Sequence, residues 1–186
     1  MAAARDDRSL VDALVAVQKV LDEQGIASAL CGGLAANLYR EDVRSTVDVD
    51  VYLVCTAPQL VQLARAFEAK DWTVHPAWQQ AELLRLEHKR YPRVDMLIAT
   101  TEFEREAVLN GRPVVVAGQE LRVLEPEDLI VFKLVAGRAR DYGDVVAIIN
   151  SSDGRLDEAY IARALDDLDM VDRWKRAQED AARERP

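Results

Sequence analysis

The sequence predicts an α+β fold in which a mixed sheet is flanked by helices and followed by a C-terminal helical bundle. Three observations support this fold class. Helix-like and strand-like segments alternate over the first third of the chain. Several short strand-like segments then follow one another between residues 72 and 123, and from Glu125 onward the pattern is helical. Strands in succession, with the later helices collected after them, are typical of α+β proteins.

The first third of the chain alternates between helices and strands. The apolar residues of the opening amphipathic helix recur at helical spacing and are Leu10, Leu14, Val17 and Leu21. A short apolar strand is predicted at residues 26–31, and Gly32 and Gly33 lead from it into a helical stretch at residues 34–39. Residues 46–54 alternate between apolar and polar side chains, which predicts a strand with one polar face near its start.

The rest of the chain predicts one more helix, a group of strands and then helices. Thr56, followed by Pro58, predicts the start of the helix. Its buried stripe consists of Leu60, Leu63, Ala64 and Phe67. The next predicted elements are strands at residues 72–75, 82–87 and 93–98, a helix at residues 102–109, and strands at residues 113–116 and 120–123. Ala117 and Gly118 separate the last two strands, which predicts a hairpin.

Length and charge limit the possible organisation and partners. With 186 residues the chain can bury a core, and we expect a core domain at residues 1–124 with a helical region at residues 125–186 packed on it, the two together forming one structural unit. The formal net charge of −9 argues against tight nonspecific binding of nucleic acid, because that binding requires an excess of Lys and Arg. An acidic protein can still bind a triphosphate when metal ions supply positive charge.

No targeting segment is evident in the sequence. The chain has no apolar run near the roughly 20 residues that a membrane span requires, and residues 1–9 lack the apolar core of a signal peptide. We therefore expect a cytoplasmic protein without a membrane partner. Cys31 and Cys55 lie in or beside apolar strand-like segments, and both are expected to be reduced core residues.

Acidic residues interrupt two of the predicted strands. Asp48 and Asp50 occupy alternate positions, so both carboxylates should point the same way, with Cβ atoms roughly 7 Å apart. Two like charges among valines repel each other, and a divalent cation would relieve that repulsion. Asp95 is a single acid within the apolar strand at residues 93–98. If the two strands are neighbours, the three carboxylates converge.

Three convergent carboxylates fit two-metal chemistry, in which ions about 3.5 to 4 Å apart stabilise the attacking and leaving oxygens. Magnesium suits oxygen ligands and is usually shared with substrate phosphates. Two alternatives stay open, because acids spaced by two also occur in solvent-facing strands and paired glycines are often only turn residues. Gly32 and Gly33, however, end a strand and open a helix, where backbone N–H groups can bind phosphate.

Two blocks of sequence carry a more specific pattern. The first is Cys31-Gly32-Gly33-Leu34-Ala35-Ala36, then Tyr39, then Arg44-Ser45-Thr46-Val47-Asp48-Val49-Asp50-Val51. The second is Leu124-Glu125-Pro126-Glu127-Asp128-Leu129-Ile130, followed by Lys133, Ala136, Arg138, Arg140, Asp141 and Asp144. Together they resemble the nucleotidyltransferase superfamily with its polymerase-beta-like fold. The double glycine followed by R-x-T-x-D-h-D-h is most similar to the minimal and AbiEii-like subgroup.

The resemblance implies a role for each matching residue. Asp48, Asp50 and Asp95 would bind magnesium, and Asp95 would also accept the proton of the attacking hydroxyl. The residues implied in binding the nucleotide are Gly32, Gly33, Arg44, Thr46 and, as a supporting acid, Asp144. Lys133 would be a catalytic residue that contacts phosphate or the leaving pyrophosphate. For Arg44, a surface position or a salt bridge is the alternative. The residues alone leave an alternative for Lys133, which interrupts an apolar run and therefore needs a partner. An ion pair with Asp141 or Asp144 would meet that need.

The resemblance also implies a reaction. A nucleoside monophosphate would pass from a magnesium-bound triphosphate such as ATP to an acceptor hydroxyl on a tRNA, a protein or a small molecule. Toxin-like transfer, with a cognate antitoxin as partner, is the first hypothesis. The alternative is a catalytically inactive nucleotidyltransferase-fold protein that binds nucleotide or acts as an antitoxin-type partner. Two positions depart from the family pattern. Gly33 stands where many relatives carry a serine, and Glu41-Asp42 fill the turn after Tyr39, where a glycine is common. The loop borders the implied site, so these differences bear on substrate preference.

Overall fold

The computed structural model describes residues 3–75 and 83–184, with side chains described from Leu10 onward. The chain forms two compact units. The sheet unit comprises residues 1–34 and 45–124, and the helical unit comprises residues 35–44 and 125–186. These units differ from the predicted division at residue 124 because residues 35–44 belong to the helical unit. The packing of a C-terminal region on the core stays a prediction.

The sheet unit contains a seven-stranded mixed sheet in the order β3-β4-β5-β2-β1-β7-β6. The strands are β1 Ala27–Cys31, β2 Val49–Val54, β3 Thr73–Val74, β4 Leu83–Glu87, β5 Val94–Ile98, β6 Arg112–Val116 and β7 Gln119–Val123. The pairs β1/β7 and β2/β5 are parallel, and the others are antiparallel. The mixed sheet confirms the predicted α+β fold class.

The described residues of the sheet unit also form helices α1 Ala3–Glu23, α3 Ala57–Glu68 and α4 Glu102–Asn110. Helix α1 packs against β1, β2, β7 and α3, while α4 packs against β1 and β2. The apolar stripes predicted for α1 and α3 are buried, with Leu21, Leu63 and Phe67 fully covered. Helical spacing in the sequence therefore identified the faces that form this core.

Two predicted elements are shorter in the structure. Strand β2 begins at Val49 rather than at residue 46, and the Val49 N–H donates to the carbonyl of Arg93. Val47 is 66% exposed, so the alternation of apolar and polar residues before Val49 does not mark a buried face. The second helical stretch, α2, spans Gly32–Ala36, and the chain then tightens into a turn in which the Tyr39 N–H donates to the carbonyl of Ala36. Asp48 consequently precedes the strand that contains Asp50.

The β6–β7 hairpin confirms the turn predicted at Ala117 and Gly118. Both residues have positive φ angles, 49° and 80° respectively. A two-residue loop with both φ angles positive matches the right-handed twist of the strands that it joins. Cys31 and Cys55 both lie in the described residues, and neither forms a disulfide. Burial raises the pKa of the Cys55 thiol, which keeps it protonated.

The helical unit contains α5 Pro126–Ala136, α6 Ala139–Ser151, α7 Glu158–Asp166 and α8 Val171–Glu184. Helix α6 packs against α5 and α8, and α7 packs against the same two helices. Gly137 ends α5 with a φ of 67°, a conformation that favours glycine. Across the described ranges of the chain, no helix combines the length and apolar character needed to span a membrane.

The start of α4 is held by a reciprocal cap. Thr101 Oγ1 accepts the N–H of Glu104, and the Glu104 carboxylate accepts the N–H groups of Thr100 and Thr101. Burial acts to raise the pKa of Glu104, but the hydrogen bonds from Thr101 and Thr100 outweigh it and lower the pKa below its ordinary value. The ionised carboxylate therefore stabilises the fold.

Replacing Glu104 by alanine should lower the free energy of unfolding by about 1 kcal/mol at neutral pH, because two backbone donors lose their partner. Since the pKa of Glu104 is lowered in the fold, this contribution is complete above the ordinary pKa of a glutamate. It is lost as the pH falls through the lowered value. Denaturant unfolding at neutral and acidic pH measures both effects.

Glu102→Ala is the matched control, because Glu102 lies in the same helical turn and is exposed. It should cost only the smaller interaction with the helix dipole. Equal losses for both variants, or a loss for Glu104→Ala that does not shrink in acid, would contradict the capping role.

Candidate functional site

The parallel pairing of β2 with β5 brings two of the predicted acids together. Asp50 and Asp95 are direct partners in the register of the two strands. Residues in register on neighbouring parallel strands lie on the same face of the sheet, so the two side chains are adjacent. Asp95 is largely buried, with 8% of its surface exposed. Buried carboxylates require compensating charge or hydrogen bonds.

Asp48 is tied to the same end of the sheet by an arginine. Nη2 of Arg93 lies 2.5 Å from Oδ2 of Asp48, and Nε of Arg93 lies 3.5 Å from Oδ2 of Asp95. Thr46 adds a long hydrogen bond of 3.4 Å from its Oγ1 to Oδ1 of Asp48. One guanidinium therefore contacts two of the three predicted metal ligands, while strand register places Asp50 beside Asp95.

A second arginine binds Asp95 from the neighbouring strand β4. Arg85 on β4 is the register partner of Asp95 and donates to both of its oxygens, at 2.8 and 3.0 Å. This two-point hydrogen bond, with the charge of Asp95, raises the pKa of the Arg85 guanidinium above its usual range. Arg85 and Arg93 were not among the predicted site residues. Arg85 does interrupt the apolar residues of β4, but only strand register shows what it faces.

Gly32 allows the chain to pass close to Asp50. Its φ is 66°, and a Cβ atom at this position would lie 1.9 Å from Oδ2 of Asp50. The glycine is therefore required both by backbone conformation and by the carboxylate beside it. Gly33 follows it in α2. Phosphate binding by the two glycines stays a prediction.

The donor chemistry of this site fits magnesium. Asp48, Asp50 and Asp95 supply only carboxylate oxygens, and the neighbouring guanidinium groups show that the site attracts cations. Over residues 3–75 and 83–184, no three His, Cys, Asp or Glu side chains are already grouped so that they could hold a metal ion. A metal ion at these acids would share them with the guanidinium groups that contact them.

Arg44, Lys133 and Asp144 form a separate cluster in the helical unit. Asp144 is fully buried and accepts hydrogen bonds from Arg40, from two nitrogens of Arg44 and from Lys133, at distances of 2.6 to 2.8 Å. Burial acts to raise the pKa of Asp144, but hydrogen bonds from Arg44 and Lys133 prevail and lower it. The carboxylate is therefore ionised at neutral pH and binds three cations.

Lys133 makes the ion pairs considered as its alternative role. Its ammonium lies 2.7 Å from Asp144 and 3.7 Å from Asp141, and only 4% of its side chain is exposed. Arg138, at the start of α6, also donates to Asp141. These contacts link α5 to α6 within the helical unit. A phosphate contact by Lys133 or Arg44 stays a prediction.

The fold is shared with solved nucleotidyltransferases. An antigenic nucleotidyltransferase-like protein from Paracoccidioides brasiliensis superposes with a TM-score of 0.55 at 19% identity, covering 86% of this chain and 87% of that one. ANT(2")-Ia in complex with adenylyl-2"-tobramycin gives a TM-score of 0.58 at 17% identity, covering 85% and 98%. The lincosamide antibiotic adenylyltransferase LnuA, lincomycin-bound, gives 0.54 at 13% identity, covering 73% and 93%.

Sequence comparison is more direct about the family. The search of the curated proteins found no significant match. The sequence does match a family model described as a nucleotidyl transferase of unknown function (DUF2204) over residues 10–172. That range covers most of the sheet unit and much of the helical unit. The chain therefore belongs to this nucleotidyl transferase family.

Proposed function

We propose that the chain transfers a nucleoside monophosphate from a magnesium-bound triphosphate to an acceptor hydroxyl. The observation that carries the proposal is the register pairing of Asp50 with Asp95, with Asp48 linked to Asp95 through Arg93. These three carboxylates would hold the metal. Magnesium, when bound, would neutralise charge on the phosphates and on the leaving pyrophosphate.

The reaction forms one bond and breaks one. The acceptor oxygen attacks the α-phosphorus, the bond from that phosphorus to the bridging oxygen breaks, and pyrophosphate leaves. Asp95 is placed in the proposal as the base that takes the proton of the acceptor hydroxyl. The two hydrogen bonds from Arg85 hold the Asp95 carboxylate in one orientation. Catalysis then rests mainly on positioning and charge neutralisation.

Other predicted residues are assigned to the nucleotide. Gly32, Gly33 and Thr46 would contact the triphosphate through backbone and hydroxyl groups. Arg44 and Lys133 would add positive charge, and Asp144 would hold both cations in place through the hydrogen bonds that it accepts. Because Asp144 already neutralises part of the charge of Arg44 and Lys133, the cluster is better suited to assist phosphate binding than to form the main phosphate site.

The solved structures with the same fold indicate which acceptors to test first. The neighbouring structures hold adenylyl-2"-tobramycin in ANT(2")-Ia and lincomycin in LnuA, which supports testing antibiotics first. A tRNA end or a protein hydroxyl is the acceptor under the toxin-like hypothesis, which adds a cognate antitoxin as partner. The competing function is nucleotide binding without turnover, and measured label transfer with pyrophosphate release distinguishes an enzyme from such a binding protein.

Incubation of the protein with α-labelled triphosphates, magnesium and candidate acceptors should yield a labelled product and pyrophosphate. Asp95→Asn keeps the shape of the side chain but removes its charge, so the rate should fall by at least about 100-fold. Chelation of magnesium should abolish the product. Label transfer and pyrophosphate release are measured together.

Asp172→Asn is the control for the loss of one negative charge, because the side chain of Asp172 is 99% exposed. It should transfer label at the rate of the unmodified protein. Triphosphate binding without any magnesium-dependent transfer would favour the non-catalytic alternative, and undiminished transfer by Asp95→Asn would refute the assigned site.

Gly32 and Gly25 provide a matched pair for the contact with Asp50. Both have left-handed backbones, with φ angles of 66° and 63°, but only a Cβ at Gly32 would meet Asp50. Gly25→Ala should cost about 1 kcal/mol of stability from backbone strain. Gly32→Ala should cost more and should also reduce label transfer, because the Asp50 carboxylate must move. Unfolding curves and the transfer assay test this, and equal behaviour of the two variants would contradict it.

Asp144→Asn should lower the free energy of unfolding by about 3 to 5 kcal/mol, because three cations lose their buried counter-charge. The lowered pKa of Asp144 means that its contribution is present above the ordinary aspartate pKa and declines as the pH falls through the lowered value. Denaturant unfolding measures the change, with Asp172→Asn again as control. A loss below about 1 kcal/mol would show that the cluster does not stabilise the helical unit.

A further inference from the structure

The side chain of Arg93 is more exposed than those of Arg85, Asp48 and Asp95. Its main chain directly precedes β5, and its carbonyl accepts the N–H of Val49 at the start of β2, which holds the backbone beside that strand. The side chain is 42% exposed and reaches Asp48 and Asp95 with two different nitrogens. A long, half-exposed side chain on a fixed backbone can change partners without disturbing the sheet.

Arg85 makes a different kind of contact. It is held across from Asp95 by strand register and donates to both oxygens of that one carboxylate. Arg93 instead contacts one oxygen on each of two carboxylates, and its contact with Asp95 is long at 3.5 Å. Arg85 therefore orients a single acid, whereas Arg93 lies between the two acids and supplies the positive charge that they share.

A metal ion and Arg93 compete for the same oxygens. Oδ2 of Asp48 is at hydrogen-bond distance from Arg93, and a cation bound to that oxygen would lie close to the guanidinium. Two positive charges at such a distance repel each other, so the guanidinium would withdraw if magnesium were bound there. The withdrawn guanidinium of Arg93 would then be able to bind an anion that the ligand brings.

A nucleoside triphosphate brings that anion. Guanidinium groups bind phosphate oxygens with two parallel hydrogen bonds, which makes arginine well suited to this exchange. We propose that Arg93 is a positioning residue that bridges Asp48 and Asp95 in the free protein and moves to the triphosphate when magnesium occupies those carboxylates. This inference rests on the proposed function and assigns to Arg93 the coupling between metal and nucleotide.

The exchange makes metal and nucleotide binding cooperative. Without nucleotide, Arg93 would have to give up its contacts with Asp48 and Asp95 before those oxygens could hold magnesium, so metal affinity should be low. With nucleotide, the displaced guanidinium gains phosphate contacts, so each ligand strengthens the other by the same factor. A substitution that removes the guanidinium should therefore strengthen metal binding alone and weaken the coupling.

Binding of Mn²⁺, counted by electron paramagnetic resonance, provides a readout independent of turnover. The proteins to compare are the unmodified chain, Arg93→Gln, Arg93→Lys and Arg90→Gln, each with and without an ATP analogue whose α,β-bridging oxygen is replaced by methylene. Arg93→Gln should bind Mn²⁺ alone about tenfold more tightly, and its gain in affinity on adding the analogue should shrink by a similar factor. Arg93→Lys, which keeps the charge but not the two-nitrogen span, should fall between.

Arg90→Gln is the control, because Arg90 is an exposed arginine three residues earlier whose guanidinium lies over the ring of Tyr91. It should leave Mn²⁺ binding and coupling unchanged. If Arg93→Gln is poorly folded by thermal unfolding, Arg93→Lys gives the same test, because it too should bind Mn²⁺ more tightly than the unmodified chain.

Two negative results have different meanings. Equal Mn²⁺ affinity and equal coupling in the unmodified chain and the Arg93 variants would overturn the exchange while leaving the proposed transfer intact. Absence of saturable Mn²⁺ binding in all proteins, with or without the analogue, would overturn the exchange together with the proposed function. Loss of binding in an added Asp48→Asn variant alone would support the site.

Discussion

The parallel, in-register pairing of β2 with β5 is the constraint on which the candidate site depends. These strands are far apart in sequence, and their hydrogen-bonded ladder places Asp50 directly beside Asp95. The same ladder begins with the Val49 N–H bonded to the carbonyl of Arg93, which fixes the backbone from which Arg93 reaches the acids. A shift of one residue in register would send one carboxylate to the opposite face and separate the pair.

Charge compensation explains the rest of the arrangement. Carboxylates gathered at one end of a sheet are unstable without cations, and in this structure two arginines supply them. Strand register places Arg85 opposite Asp95, whereas Arg93 is held by the hydrogen bond of its carbonyl with Val49 and by its contacts with Asp48 and Asp95. In the proposed exchange magnesium would take the place of Arg93 at Asp48 and Asp95, so these carboxylates would have a positively charged partner both with and without ligands.

The helical unit resolves the same electrostatic problem differently. Asp144 is fully buried and satisfied by three cations from its own unit, Arg40, Arg44 and Lys133. Removing one member leaves uncompensated charge in a setting with little water, so the cluster constrains α5, α6 and the segment at residues 35–44 together. Arg44, Lys133 and Asp144 belong to the motifs noted in the sequence, and in the structure their contacts stabilise the helical unit.

The sequence by itself determined the α+β class, the buried stripes of α1 and α3, the Ala117–Gly118 hairpin and the family resemblance, because periodicity and turn chemistry act over a few residues. It also singled out Asp48, Asp50 and Asp95 as acids in an apolar context. Only the tertiary structure decided that Asp50 pairs with Asp95, that β2 starts after Asp48, and that Arg40, Arg85 and Arg93 balance the acids. Those facts depend on strand register and on packing between distant segments, and local pattern carries no information about either.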